Sequence, residues 1–113
     1  MAKPLPVSPL APAQFPEMPV IEGVTFASVE AGGRYAGRKD VMLALLAPGS
    51  AVAGVFTRSA TRSAPVLDCQ KKLGGAGDEA AAILVNAGNS NAFTGKRGDA
   101  SVAAITEAVA RAA

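Results

Sequence analysis

Three asparagines, a serine and a threonine fall within the nine residues from Asn86 to Thr94, directly behind an apolar run. The stretch from Ala80 to Gly98 reads AAAILVNAGNSNAFTGKRG. Ala81 to Val85 is short and β-branched enough to be a buried strand. Behind it, Asn86, Gly88, Asn89, Ser90 and Asn91 form a polar, glycine-punctuated loop, and Thr94-Gly95 leads towards a helical pattern. Backbone N–H groups and fixed amide side chains in such a loop can meet an anion or a polarised carbonyl. Asn and Gly are also ordinary turn residues, because both tolerate positive φ and Asn bonds its own backbone. A structural turn and a functional loop therefore both stay open, and the density of polar groups beside a core strand is what draws attention to a site.

One phosphate-binding arrangement is excluded by spacing. A P-loop needs four residues between its glycines and a Ser or Thr after its lysine. Here six residues separate Gly88 from Gly95, and Arg97 follows Lys96. No GxGxxG is present either.

The whole composition narrows the chemistry further. The chain has no histidine and a single cysteine, Cys69, which removes Ser-His and Cys-His nucleophile pairs, the usual zinc sets and any internal disulfide. Cys69, following Val66-Leu67, reads as a small packed residue rather than a nucleophile. Eleven basic residues are spread from Lys3 to Arg111 with a net charge of +2 and no aromatic interleaving, so nucleic-acid binding gains little support. No signal-peptide pattern and no apolar run approaching ~18 residues is visible, so the expectation is a cytoplasmic chain without membrane contact.

At 113 residues the chain makes one domain at most, with 50% hydrophobic residues, many of them Ala, and no Trp. That is a thin core, and it suggests part of something larger. Residues 1–19 carry six of the eight prolines and read as an extended, flexible arm, with Phe15 and Met18 as candidates to pin its end. Residues 20–113 form the body. Ile21 to Val29, Val41 to Leu46 and Val52 to Phe56 read as strands of an antiparallel meander, Gly54 marking a bulge or close backbone packing. Arg58 and Arg62, four apart, suit either a carboxylate or plain solvent. Asp68 to Leu73 reads as one or two helical turns, and Gly74-Gly75-Ala76-Gly77 as a break. Asp99 is the expected N-cap of an amphipathic helix running to Ala113, with Val102, Ile105, Val109 and Ala112 as its apolar stripe. That helix carries no stop signal, and its end looks like a cut.

Four blocks then carry a resemblance: Gly23-Val24 onward; Tyr35-Ala36-Gly37-Arg38-Lys39-Asp40-Val41; Ala53-Gly54-Val55-Phe56-Thr57-Arg58-Ser59 with Ala64-Pro65-Val66; and Val85-Asn86-Ala87-Gly88-Asn89-Ser90-Asn91-Ala92-Phe93-Thr94-Gly95. In order and spacing they resemble the N-terminal part of the glutamate N-acetyltransferase/ornithine acetyltransferase family of arginine biosynthesis, over residues 20–113. The resemblance implies an α/β fold of the α+β kind, with β-sheet layers flanked by helices. It implies acetyl transfer from N2-acetylornithine to glutamate through an acetyl-threonine, after self-cleavage of a precursor into α and β chains that assemble as α2β2. Thr94 and Gly95 fall on the family's oxyanion hole, and Asn86, Asn89 and Asn91 are assigned to holding that loop's shape. No resident cofactor or metal is implied, and acetyl-CoA enters only as a candidate second acetyl donor. The family's nucleophilic threonine and substrate-binding residues lie beyond residue 113, so the chain alone is expected to be inactive. A related self-processing amidase or aminopeptidase, and a non-catalytic interaction domain using the Asn-rich loop, are the rival readings.

Overall fold

The computed structural model describes residues 6–74 and 78–113. Its elements run β1 (Val24–Val29), β2 (Val41–Leu46), α1 (Ala64–Lys72), β3 (Ala81–Asn86) and α2 (Gly95–Ala112). The fold is α+β: one three-stranded antiparallel sheet in the order β1-β2-β3, with two helices. β1 and β2 join through the long loop 30–40, and β3 pairs with the other edge of β2.

Because side chains alternate along each strand, the pairing register sorts them onto two faces. Leu43, Leu45 and Leu84 share one face, and α2 lies on it. Ile105, Ala108, Val109 and Ala112 line an apolar groove of about 350 Å³ with Leu43 and Leu45, so the stripe expected on the terminal helix does point at the sheet. Among the described residues nothing covers the second face. Phe26, Ala44 and Ile83 form one row across it, and Met42 and Val85 stand in the next. Phe26 is 67% exposed, Ile83 43% and Val85 48%; only the small Ala44 between its partners is buried.

The accessible surface is 9618 Å² for 11.2 kDa. A self-contained domain of that mass would show about 5,700 Å². The thin core expected from the composition is therefore present, with Ala44 and Ala64 its buried apolar residues among those described.

Several expected elements differ. Val52 to Phe56 forms no strand. The segment finds no ladder partner: both edges of β2 are taken by β1 and β3, Val55 is 99% exposed, and a Cβ on Gly54 would rest 3.7 Å from Leu73 at the end of α1. The antiparallel sheet is real, but β3 supplies its third strand. α1 starts at Ala64, four residues before Asp68, since Pro65 fits a helix's first turn where its missing N–H costs nothing. Cys69 faces solvent on α1 instead of packing. Of the proposed Gly74–Gly77 break, residues 75–77 lie outside the described residues, as do residues 1–5 of the arm. From residue 6 to residue 19 the chain has no helix or strand, and Phe15 and Met18 are exposed, so neither pins it. Among the described residues no helix is long and apolar enough to cross a membrane.

Candidate functional site

β3 ends on Asn86, paired with Val41, so a rigid ladder delivers the polar loop at a fixed point. From there the loop bonds to itself. The Asn86 side-chain amide donates to the Asn89 carbonyl (3.0 Å), and the Asn91 N–H donates to Asn89 Oδ1 (2.9 Å). The Asn86 and Asn89 side chains both bond within this loop.

Asn91 is the hub. It takes a left-handed backbone, φ 48°, which Asn tolerates better than other non-glycine residues. Its carbonyl accepts from the Ala64 N–H at the start of α1 (3.3 Å). Its Oδ1 accepts from the Thr94 hydroxyl (2.7 Å), and its Nδ2 donates to the Gly98 carbonyl (3.1 Å). One residue therefore ties the loop, both helix starts and Thr94 together, through its carbonyl to α1 and its side chain to Thr94 and α2.

α2 begins at Gly95 rather than near Asp99, with Thr94 in the N-cap position. The expectation failed because Asp99 was the more obvious capping side chain. The bond of the Gly98 N–H to the Thr94 carbonyl instead puts residues 95–98 inside the first helical turn. The Thr94 side chain makes no capping bond, since its hydroxyl proton is engaged with Asn91. The first N–H groups of a helix have no intrahelical acceptor. The Gly95 N–H stands at the positive end of α2, where negative charge is favoured.

Gly98 is buried, and the sequence reading passed over it as a residue before the helix. A Cβ there would collide with Thr94 Oγ1 and lie 2.8 Å from Thr94 Cβ and 2.9 Å from Asn91 Oδ1. The available signal was a glycine inside a helical pattern, which marks a close approach. Asn89, Asn91, Thr94, Arg97, Gly98 and Ser101 line an open polar pocket of about 390 Å³. Arg97, on the first turn of α2, is its cationic member, and nothing in the sequence singled it out. Arg58 and Arg62 play no part in it: Arg62 donates to Gln70 Oε1 (3.0 Å) along α1. Among the described residues no group of His, Cys, Asp and Glu could hold a metal ion.

A strand-fixed loop, a helix N-terminus and a polar pocket with one guanidinium make a place for negative charge, formal or developing. The comparisons bear on what that charge belongs to. The chain is 72% identical over 97% of its length to the arginine biosynthesis bifunctional protein ArgJ of Ruegeria pomeroyi, and 55% identical over 94% to that of Bradyrhizobium diazoefficiens. The protein of the same name in Mesorhizobium japonicum is 51% identical over 95% of the chain. The chain spans 27%, 25% and 25%, respectively, of the length of these relatives. No solved structure matches it significantly. Residues 25–113, nearly everything after the proline-rich arm, match the ArgJ family, and the chain belongs to that family.

Proposed function

We propose that residues 20–113 are the first part of the α chain of an arginine-biosynthesis acetyltransferase, and that they supply its oxyanion-stabilising loop. A threonine outside this chain, the N-terminal residue of a β chain cut from the same precursor, attacks the acetyl carbonyl of N2-acetylornithine. Its α-amino group takes the hydroxyl proton. Collapse of the tetrahedral intermediate returns that proton to the departing ornithine amine and leaves an acetyl ester on the threonine. The amine of glutamate then attacks the ester, and the threonine hydroxyl is restored. Both steps pass through an oxyanion. The Gly95 N–H and the Thr94 hydroxyl are its donors, each worth about 3–4 kcal/mol when preorganised. For the hydroxyl this means exchanging its bond to Asn91 Oδ1 for one to the oxyanion.

The observation that carries this reading is that Thr94 lines a polar pocket and Gly95, next to it, opens α2, in a chain of the ArgJ family. The uncovered apolar sheet face supports a partner polypeptide, here the β chain of an α2β2 assembly in the cytoplasm. The word "bifunctional" in the relatives' name supports acetyl-CoA as a second acetyl donor to glutamate.

The test is Thr94→Ala in the complete enzyme, followed by glutamate-dependent release of ornithine from N2-acetylornithine. We expect turnover to fall about a hundredfold or more, with Thr94→Ser recovering most of it. Unchanged turnover in a folded Thr94→Ala enzyme would favour a binding loop with no part in catalysis.

A further inference from the structure

The loop between β1 and β2 packs against the Asn-rich loop at Ala87 and Gly88. Asp40, only 5% exposed, is the buried charged residue among those described, and all of its polar atoms are engaged. Its Oδ1 accepts from the Ala31 N–H (2.6 Å) and its Oδ2 from the Gly33 N–H (3.0 Å). Its own N–H donates to the Val29 carbonyl (3.1 Å), and its carbonyl accepts from the Ala87 N–H (2.8 Å), one residue before Gly88. A bond from the Gly37 N–H to Glu30 Oε1 (2.6 Å) closes the same loop on itself.

The loop so fixed presses Arg34 and Tyr35 onto Gly88. Arg34 Nη1 reaches the Gly88 carbonyl at 3.4 Å, the long end of a hydrogen bond. The two residues also leave no room for a side chain at Gly88. A Cβ on Gly88 would lie 2.8 Å from Arg34 Cβ and 3.0 Å from Tyr35 Cε2. Arg38 stacks on the other part of this unit, its guanidinium carbon 4.2 Å from the centre of the Tyr35 ring. Gly88 thus sits between Asn86 and Asn89, whose bond to each other sets the loop's course towards Asn91 and Thr94.

We infer that Arg34, seated by Asp40, is a positioning residue: it holds the Gly88 turn so that the Asn86–Asn91 loop presents Thr94 and Gly95 to the developing oxyanion. This inference rests on the proposed acetyl transfer. Its consequence is specific, because a donor that matters only in the transition state changes kcat and leaves KM alone. A small misplacement of such a donor, caused from outside the reacting atoms, is enough to cost one to two powers of ten in rate.

The experiment is a double-mutant cycle in the complete enzyme, with Arg34→Ala, Thr94→Ala and both together, measuring kcat and KM for N2-acetylornithine. Arg34→Ala is expected to lower kcat about tenfold at unchanged KM, and Arg34→Lys, which keeps the stem and one donor, to recover most of the loss. In the Thr94→Ala background the same Arg34 substitution should change kcat less than about threefold, because only the Gly95 N–H is left for it to position. Equal effects of Arg34→Ala in both backgrounds, or a rise in KM with kcat intact, would overturn the inference. If Arg34→Ala yields no folded enzyme, the same cycle with Asp40→Asn decides by the same criteria. Should Thr94→Ala leave turnover untouched, the oxyanion role of Thr94 itself fails; should it abolish turnover while the Arg34 and Asp40 variants do nothing, only the clamp fails.

Discussion

Replacing Gly98 by alanine sets two effects of opposite sign against each other. On helix propensity alone the change should stabilise: an alanine inside a helix is favoured over glycine by about 1 kcal/mol. Gly98 lies within α2 and has no positive φ to protect it. The packing argues the other way. The new Cβ would overlap the Thr94 hydroxyl oxygen and crowd Thr94 Cβ at 2.8 Å and Asn91 Oδ1 at 2.9 Å. Overpacking of this kind typically costs about 1–3 kcal/mol. Turning Thr94 away adds the loss of its hydrogen bond to Asn91, about 1 kcal/mol. The net expectation is destabilisation by about 1–3 kcal/mol, together with a fall in turnover comparable to that of Thr94→Ala. The assay is urea unfolding of the complete enzyme beside its acetyl-transfer rate, with Ala104→Gly at an exposed position of α2 as a propensity control. A Gly98→Ala enzyme that unfolds at higher urea and keeps its turnover would show that the close approach of Thr94 to Gly98 does not govern this site.

Two further expectations follow from the same contacts. The Asp40 carboxyl is held below its ordinary value of 3.8, chiefly by the Ala31 N–H, with help from Gly33, its own N–H and the Arg38 charge, and against the effect of burial. A depressed folded-state value means that the carboxylate stabilises the fold above pH 3.8 and loses that contribution as the pH falls through the lower value. The gap in unfolding midpoint between the native enzyme and Asp40→Asn should therefore be widest near neutrality and shrink below pH 4; a gap constant from pH 7 to pH 3 would refute it. On the uncovered sheet face, Phe26→Asp should leave the isolated 113-residue chain no less soluble, yet reduce recovery of the assembled enzyme on size-exclusion chromatography. Normal assembly would mean that this face is not where the rest of the protein packs.

What was legible in the sequence divides along physical lines. β2 is legible to the residue because Val41–Leu46 is apolar without a break, and β3 to within one residue, since its ladder runs past the apolar Ala81–Val85 to include Asn86. Periodicity also identified the stripe of α2, since packing against the sheet depends on that spacing alone. Val52–Phe56 has the composition of a strand but pairs with none of the three strands, and pairing is a tertiary fact that composition does not carry. The start of α2 was misplaced for a related reason. A capping side chain was sought, and Thr94 occupies that position while its hydroxyl serves Asn91.

The candidate site follows the same division, and shows where its geometry comes from. The polar loop was visible as residue types, but its shape depends on contacts across distant parts of the chain: Arg34 on Gly88, Ala64 on Asn91, Gly98 under Thr94. It also depends on backbone strain. Phe93, exposed and next to Thr94, holds φ at 58°, a left-handed conformation that costs an aromatic residue about 1–2 kcal/mol. The loop's own bonds, Asn86 to Asn89 and Asn91 to Thr94, are exposed and short-range, each contributing about 1 kcal/mol at most. Together they are about the size of that strain and leave little beyond it. The supports on either side add to them: the buried Asp40 with its loop at Gly88, and the packed start of α2 at Gly98. Thr94 and Gly95 are therefore held from two directions, and weakening either support should release the same strain and disturb the same two donors.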